Sequence, residues 1–188
     1  MISEVHGRLR DATRVDHDRL EARMDILARI VTAESRRELV ERFHGLHAEA
    51  EAALAPSLAS LPGLDFETRR RSVQLAADLA TLGGKAVPPS DAAVPAGVAE
   101  ALGRMYVLEG STLGGRVIRR TVEARGDSMV GLSFLDPYGD RVGERWRAFL
   151  AVLDAQARTP DDVEAMVRGA VAGFHHAERR LCDEPVNV

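Results

Sequence analysis

Apolar residues in this chain recur at intervals of three and four, and no run alternates apolar with polar long enough to read as a strand, so the pattern predicts helices throughout. The first runs from about Ser3 to Ile30, with Leu9, Thr13, His17, Leu20, Met24 and Leu27 on one stripe. "TAES" at 32–35 breaks it. Ser35 with Glu38 has the spacing of a capping box for a second helix running toward Pro62, with Pro56 bending or ending it. After the turn "PGLDF", a third helix spans roughly Glu67 to Leu82, and "GGKAVPPSDAAVP" is the most loop-like segment of the chain. Periodicity returns from Ala96 to about Arg125, pauses through "GDSMVGLSFLDPYGD" and resumes from about Asp140 to Ala157. Thr159, Pro160 and Asp162 supply the N-cap, first-turn proline and acidic start of a last helix that ends near Cys182. The expectation is an all-α, compact single-domain bundle of six or seven helices over residues 1–188.

Composition agrees with that picture and narrows the chemistry. A chain of 188 residues suffices for one domain with a sizeable core, and 45% hydrophobic with 29% charged residues is the balance of a soluble globular protein. No apolar run approaches the roughly 20 residues that span a bilayer, and "MISEVHGRLR" lacks a signal-peptide layout, so a cytoplasmic protein without membrane partners is expected. One cysteine, Cys182, leaves no thiolate cluster or dithiol pair, so any redox chemistry needs a bound cofactor and imported electrons. The net charge of −4 gives no reason to expect nucleic acid. The basic residues are almost all arginine, which suits planar oxyanions such as carboxylates.

Two stretches stand out. In "LRDATRVDHDRLEARM" the pattern puts His17 on the core-facing stripe, where an imidazole makes a core hydrogen bond, transfers protons or coordinates a metal. Glu21 stands one turn on and can accept from the ring nitrogen not used for coordination, while Arg14 and Arg10 stand one and two turns before and can flank an anionic edge. In "RMYVLEGSTLGGRVIRR", Gly110, Gly114 and Gly115 lie within six residues of one helix, at a cost of about 1 kcal/mol each against alanine. Missing side chains there admit either a second helix or a flat ligand, and Ser111 and Thr112 add hydroxyls that can hold water. A macrocycle between a histidine helix and a glycine-relieved helix is a workable haem site.

The pair of motifs "LRDATRVDHDRLE" and "YVLEGSTLGGRVI" resembles the haem oxygenases, especially the bacterial, biliverdin-producing branch associated with bacteriophytochromes; "GLSFLDPYGDRVGERWRAFL" and "FHGLHAEAE" resemble it too. The likeness covers roughly Leu9 to Leu181. It implies haem as both cofactor and substrate, sandwiched between a proximal N-terminal helix and a glycine-rich distal helix. His17 is then the proximal iron ligand, Glu21 its hydrogen-bond partner, and Arg10 and Arg14 contacts for the propionates. Gly110, Ser111, Gly114 and Gly115 fall on the distal helix beside the reacting oxygen. A late-helix arginine reaches a propionate in many members, with Arg141, Arg145 and Arg147 as candidates and Arg147 preferred. Phe174 lines the pocket or belongs to the core. The resemblance implies cleavage of haem by O2 to biliverdin, carbon monoxide and iron, with electrons from a ferredoxin or flavin reductase and a functional link to a bacteriophytochrome. Animal members carry an aspartate where Ser111 stands, so a rearranged water network is expected.

Two other readings compete. A haem carrier or sensor would use His17, Arg10 and Arg14 equally well, but gains nothing from the distal glycines. A di-iron oxidase would use "ERFH", Glu41 and His44, but needs a second such unit; "VDH" at His17 and "AGFHH" at His175 and His176 lack the acidic residue three positions earlier. His47 is expected to pack or hydrogen-bond within the bundle.

Overall fold

The computed structural model describes residues 3–90 and 93–182; positions 1–2, 91–92 and 183–188 of the expected domain lie outside the described residues. Among the described residues seven α-helices follow in order, α1 (Glu4–Met24), α2 (Ile26–Arg29), α3 (Ala33–Leu58), α4 (Ser72–Thr81), α5 (Val98–Ala124), α6 (Val142–Gln156) and α7 (Pro160–Leu181). Short 3-10 turns stand at Phe66–Arg69, Ser133–Leu135 and Gly139–Arg141. The all-α class is as the periodicity predicts, and no strand forms among the described residues.

Three boundaries differ from the sequence expectation, each for a local reason. Asp25 adopts a left-handed backbone (φ 30°), ends α1 and caps α2 through its carboxylate, which accepts from Ala28 N–H, so the expected helix over 3–30 is two. The N-cap of α3 is Thr32, not Ser35: the Thr32 hydroxyl accepts from Ser35 N–H at 3.1 Å. The helix expected over 67–82 breaks because Arg69 and Arg71 turn inward, and Glu51 of α3 accepts from Arg71 N–H at 2.5 Å and Ser72 N–H at 3.0 Å. Glu51 thus satisfies the free amides at the start of α4 from another helix. Pro56 sits in the last turn of α3, which continues to Leu58, and the Thr159–Asp162 capping box forms as expected.

The central pair is α5 on α7. Gly103 has no side chain because a Cβ there would stand 2.0 Å from the Met166 carbonyl oxygen, and one on Gly169 would stand 2.1 Å from that of Glu100. Gly173 continues the close approach, against Arg104 and Val107. Two apolar clusters flank this crossing. One gathers Leu9, Leu54, Leu102, Met105, Phe149 and Met166; the other gathers Leu39, Phe43, Leu79, Val122, Leu135 and Leu181.

Between the clusters lies a polar level. Along α3 the buried side chains change from Leu46 to His47, Glu49 and Glu51 before Leu54; along α5 they change from Met105 and Val107 to Glu109 and Thr112 before Val122. Along α1, Leu9 and Thr13 are buried and the residues that follow are not. Four long helices therefore leave one apolar cluster and enter the other through a shared stretch, which on α7 falls between Ala170 and Ala177.

Gly169→Ala should lower stability by about 3 kcal/mol without changing helix content, since the added methyl meets backbone that cannot yield cheaply. Urea unfolding followed by circular dichroism measures it, and an unchanged midpoint would refute the close crossing.

Candidate functional site

His17 lies at this polar level, but the expectation that it faces the core is overturned: its side chain is 51% exposed. The stripe it shares with Leu9 and Thr13 is fully buried only at those two residues; farther on, Leu20 and Met24 are half-buried against the second apolar cluster, and His17, between the two pairs, is exposed. Its ring meets Phe174 of α7 edge-on, with centroids 5.9 Å apart. Nε2 lies 3.6 Å from Glu21 and Nδ1 3.6 Å from Asp18, so neither nitrogen is held in a close hydrogen bond. One nitrogen can coordinate while a carboxylate orients the other. Phe174 itself is buried, as either reading of it allowed.

On α5 the glycines divide. Nothing lies within 4 Å of a Cβ placed on Gly114, and one on Gly110 would meet only the Trp146 ring, at 3.8 Å. On Gly115 a Cβ would stand 2.2 Å from the Leu135 carbonyl oxygen. Gly115 therefore serves packing against the 133–135 turn, whereas Gly110 and Gly114 leave an open face that also carries the exposed apolar residues Leu113 and Val117. Positions 110, 113, 114 and 117 share one helical face. Ser111 is exposed and donates to the Leu108 carbonyl at 2.7 Å; Thr112 is buried and donates to that of Glu109 at 2.8 Å. Hydroxyls that bond back to the preceding turn weaken the helix where glycine already does.

Behind that face stands a network that sequence reasoning missed. Glu109, 2% exposed, accepts from Arg69 at 2.6 Å and from the Tyr138 hydroxyl at 2.8 Å, with Arg71 3.6 Å away. Arg71 and Arg145 lie over the Tyr138 ring at 4.4 and 5.0 Å. Burial, and then the Glu109 charge, push the Tyr138 hydroxyl above its ordinary pKa, so it stays a donor. His47 is buried 3.6 Å from Glu51, and burial pushes its imidazole below the ordinary value. Burial alone would raise the Glu51 carboxyl, but His47, Ser72 and the Arg71 amide hold it down to about 2. The available signal was three successive arginines at 69–71 and a lone glutamate on an otherwise apolar stretch of α5.

The arginines are placed as follows. Arg10 and Arg14 are exposed on the same face of α1 as His17 and Glu21, with Arg10 donating to Asp11 at 3.2 Å. Of the late-helix candidates, Arg141 pairs with Glu144 and Arg145 is engaged with Thr68 and Tyr138, while Arg147 is exposed on α6. Glu41 is exposed 3.8 Å from Arg37, His44 is buried, and no group of three potential metal ligands occurs among the described residues. A di-iron centre has no support here. No helix among the described residues is long and apolar enough to cross a membrane.

A family model described as heme oxygenase matches residues 3–181. The chain belongs to the heme oxygenase family. It is accordingly a haem-degrading oxidoreductase. A heme oxygenase of Xanthomonas campestris pv. campestris is 34% identical over 157 residues, 82% of this chain and 93% of that one. The heme oxygenase PigA of Pseudomonas aeruginosa is 34% identical over 132 residues, 68% of this chain and 62% of that one. The fold is similar to that of the NO- and CO-bound heme oxygenase from Neisseria meningitidis, with a TM-score of 0.72 and 24% identity over 93% of this chain and 88% of that one. The expected heme oxygenase fold is thus the observed one.

Two outcomes test the site's construction. Gly114→Leu should leave the apo melting temperature within a few degrees of the parent, whereas Gly115→Ala should lower stability by about 2 kcal/mol; calorimetry of both apo proteins checks the division. For Glu51, a folded pKa near 2 against an ordinary 4.5 means its contribution is present above 4.5 and lost as pH falls toward 2. Glu51→Gln should flatten that acid limb by about 2–3 kcal/mol, read from urea midpoints across the range.

Proposed function

We propose that His17 binds the haem iron on the proximal side and that the face formed by Gly110 and Gly114 lies on the distal side, where oxygen and its protons are delivered. The observation that carries this reading is that a Cβ on Gly114 would meet nothing within 4 Å while exposed apolar residues flank it, on the helix where Gly103 and Gly115 close tightly onto backbone. A helix that gives up side chains without a helix to pack against accommodates something flat and apolar. His17, with both ring nitrogens outside close hydrogen-bond distance, offers one free donor, which fits a single axial bond.

Each residue then has a task. Glu21, 3.6 Å from the ring, orients the imidazole. Phe174 meets its ring edge-on and fixes its tilt. Arg10, Arg14 and Arg147, all exposed, offer planar donors to the propionate carboxylates. Haem, when bound, supplies the iron that activates O2 and the meso carbon that is oxidised, giving biliverdin, carbon monoxide and free iron with electrons from an external ferredoxin or flavin reductase. Gly110 and Gly114 leave room for the reacting oxygen beside one meso edge. The Ser111 hydroxyl, its proton committed to the Leu108 carbonyl, presents lone pairs that hold a water on that side. Behind α5, Glu109 with Arg69, Arg71 and Tyr138 ties the helix to the turns before α4 and before α6. The bilin released is the chromophore class that a bacteriophytochrome binds, which supports that functional link.

His17→Ala should keep the circular dichroism of the parent and lose its axial-ligand spectrum; an unchanged coordination spectrum would refute the assignment. The parent, given haemin, reductant, air and catalase, should lose its Soret band and yield biliverdin and carbon monoxide. A carrier would cycle between ferric and oxygenated forms with its porphyrin intact.

A further inference from the structure

The half of α1 that carries His17 has no buried residue: Leu9 and Thr13 are its only buried positions, and both precede the histidine. Leu20 and Met24 are half-buried against the second apolar cluster and Phe174 meets the His17 ring, so apolar contacts hold this half of α1 only in part. Ion pairs from one face of α7 add a polar hold on its height and rotation. Glu178 accepts from Arg19 through Nε at 2.9 Å and Nη2 at 3.0 Å, and from Arg23 at 2.6 Å. Arg19 also donates to Asp16 at 2.6 Å, and His175 lies 3.8 Å from that same carboxylate. Glu178 and Asp16 are only 18% and 15% exposed although the arginines reach them from the surface. The hydrogen bond from Arg19 is the main cause that holds the Glu178 carboxyl below its ordinary range.

The spacing is informative. Asp16 immediately precedes His17, and Arg19 and Arg23 follow two and six residues on; across from them Phe174, His175 and Glu178 present one edge of α7. The ring that touches His17 and the carboxylate that grips its helix are one turn apart on the same element. A planar guanidinium held by two carboxylates fixes orientation as well as distance. We propose that Glu178, through Arg19 and Arg23, is a positioning residue that sets the presentation of the axial histidine to the iron; this rests on His17 being that ligand. It touches neither haem nor substrate and acts through α1.

The test compares parent, Glu178→Gln, Glu178→Asp, Arg19→Gln and the double variant Arg19→Gln/Glu178→Gln, with His17→Ala alongside. In the apo proteins, amide hydrogen exchange should accelerate about three- to tenfold over residues 17–24 in Glu178→Gln while residues 4–13 keep the parent rate. With haemin bound, Glu178→Gln should release it to an excess of a high-affinity acceptor about three- to tenfold faster and broaden or shift the iron–histidine stretching band in the ferrous state. Glu178→Asp should recover part of both effects, and the double variant should be no worse than the worse single one, as for groups acting together. Parent-like exchange over 17–24 together with a parent-like iron–histidine band in Glu178→Gln would overturn the positioning role even when His17→Ala loses that band. If His17→Ala keeps the band, the ligand assignment falls and the positioning role with it.

Discussion

The interruption of the apolar core is the constraint on which the rest of this structure depends. Two clusters that four shared helices could have joined into one are separated by a level of carboxylates, imidazoles, small residues and open backbone. Buried charge at such a level is tolerable only when paired. Glu109 has Arg69, Arg71 and Tyr138, and Glu51 has two backbone amides, the Ser72 hydroxyl and His47 beside it. Because α3 and the backs of α4 and α5 are satisfied in this way, His17 on α1 and Gly114 on α5 can stay exposed without unravelling the bundle.

What keeps the glycine face of α5 in shape is support at both ends of that helix. Its first half is locked to α7 through Gly103, Gly169 and Gly173. Farther along, Gly115 abuts the Leu135 carbonyl, and the turn bearing it is fixed by Asp78, which accepts from the Phe134 amide and the Ser133 hydroxyl, both at 3.0 Å. The unsupported stretch, 110–114, is bracketed. A helix held at both ends and weakened in the middle by glycine and back-bonded hydroxyls can adjust locally without moving as a whole. In the proposed site, that behaviour lets the 110–114 face approach the macrocycle closely and still accept a diatomic molecule beside it.

Local rules made much of this legible in advance. The long helices follow from their 3.6-residue period, and the α7 start follows from Thr159, Pro160 and Asp162, because those signals are written within one turn of chain. The reading failed where the deciding partner is distant in sequence. No local pattern shows that Glu51 caps α4 across about twenty residues, so 67–82 read as one helix. The 3-10 turn and break there come from Arg69 reaching the Leu64 carbonyl and Glu109. Asp25 was invisible for the opposite reason: a single left-handed residue interrupts the helix but not the apolar period on either side.

The distal glycines and His17 show the same limit at the site itself. Gly114 and Gly115 are neighbours with the same local sequence signature, yet one faces open space and the other a carbonyl oxygen, since successive residues on a helix point about 100° apart. Apolar periodicity reports every surface removed from water, whether by protein or by a bound group, and so it placed His17 on a stripe that the protein buries fully at Leu9 and Thr13, partly at Leu20 and Met24, and leaves open at His17. At His17 the period continues but burial lapses before Leu20 and Met24 pack again, so the sequence carries a demand there that the chain meets only with the edge of Phe174. That mismatch on α1, facing Phe174, and its counterpart at Leu113 and Val117 on α5 are two separate signals of one requirement. A flat apolar ligand with one axial bond meets both at once, which neither a metal pair nor a helix-packing role for Gly114 can do.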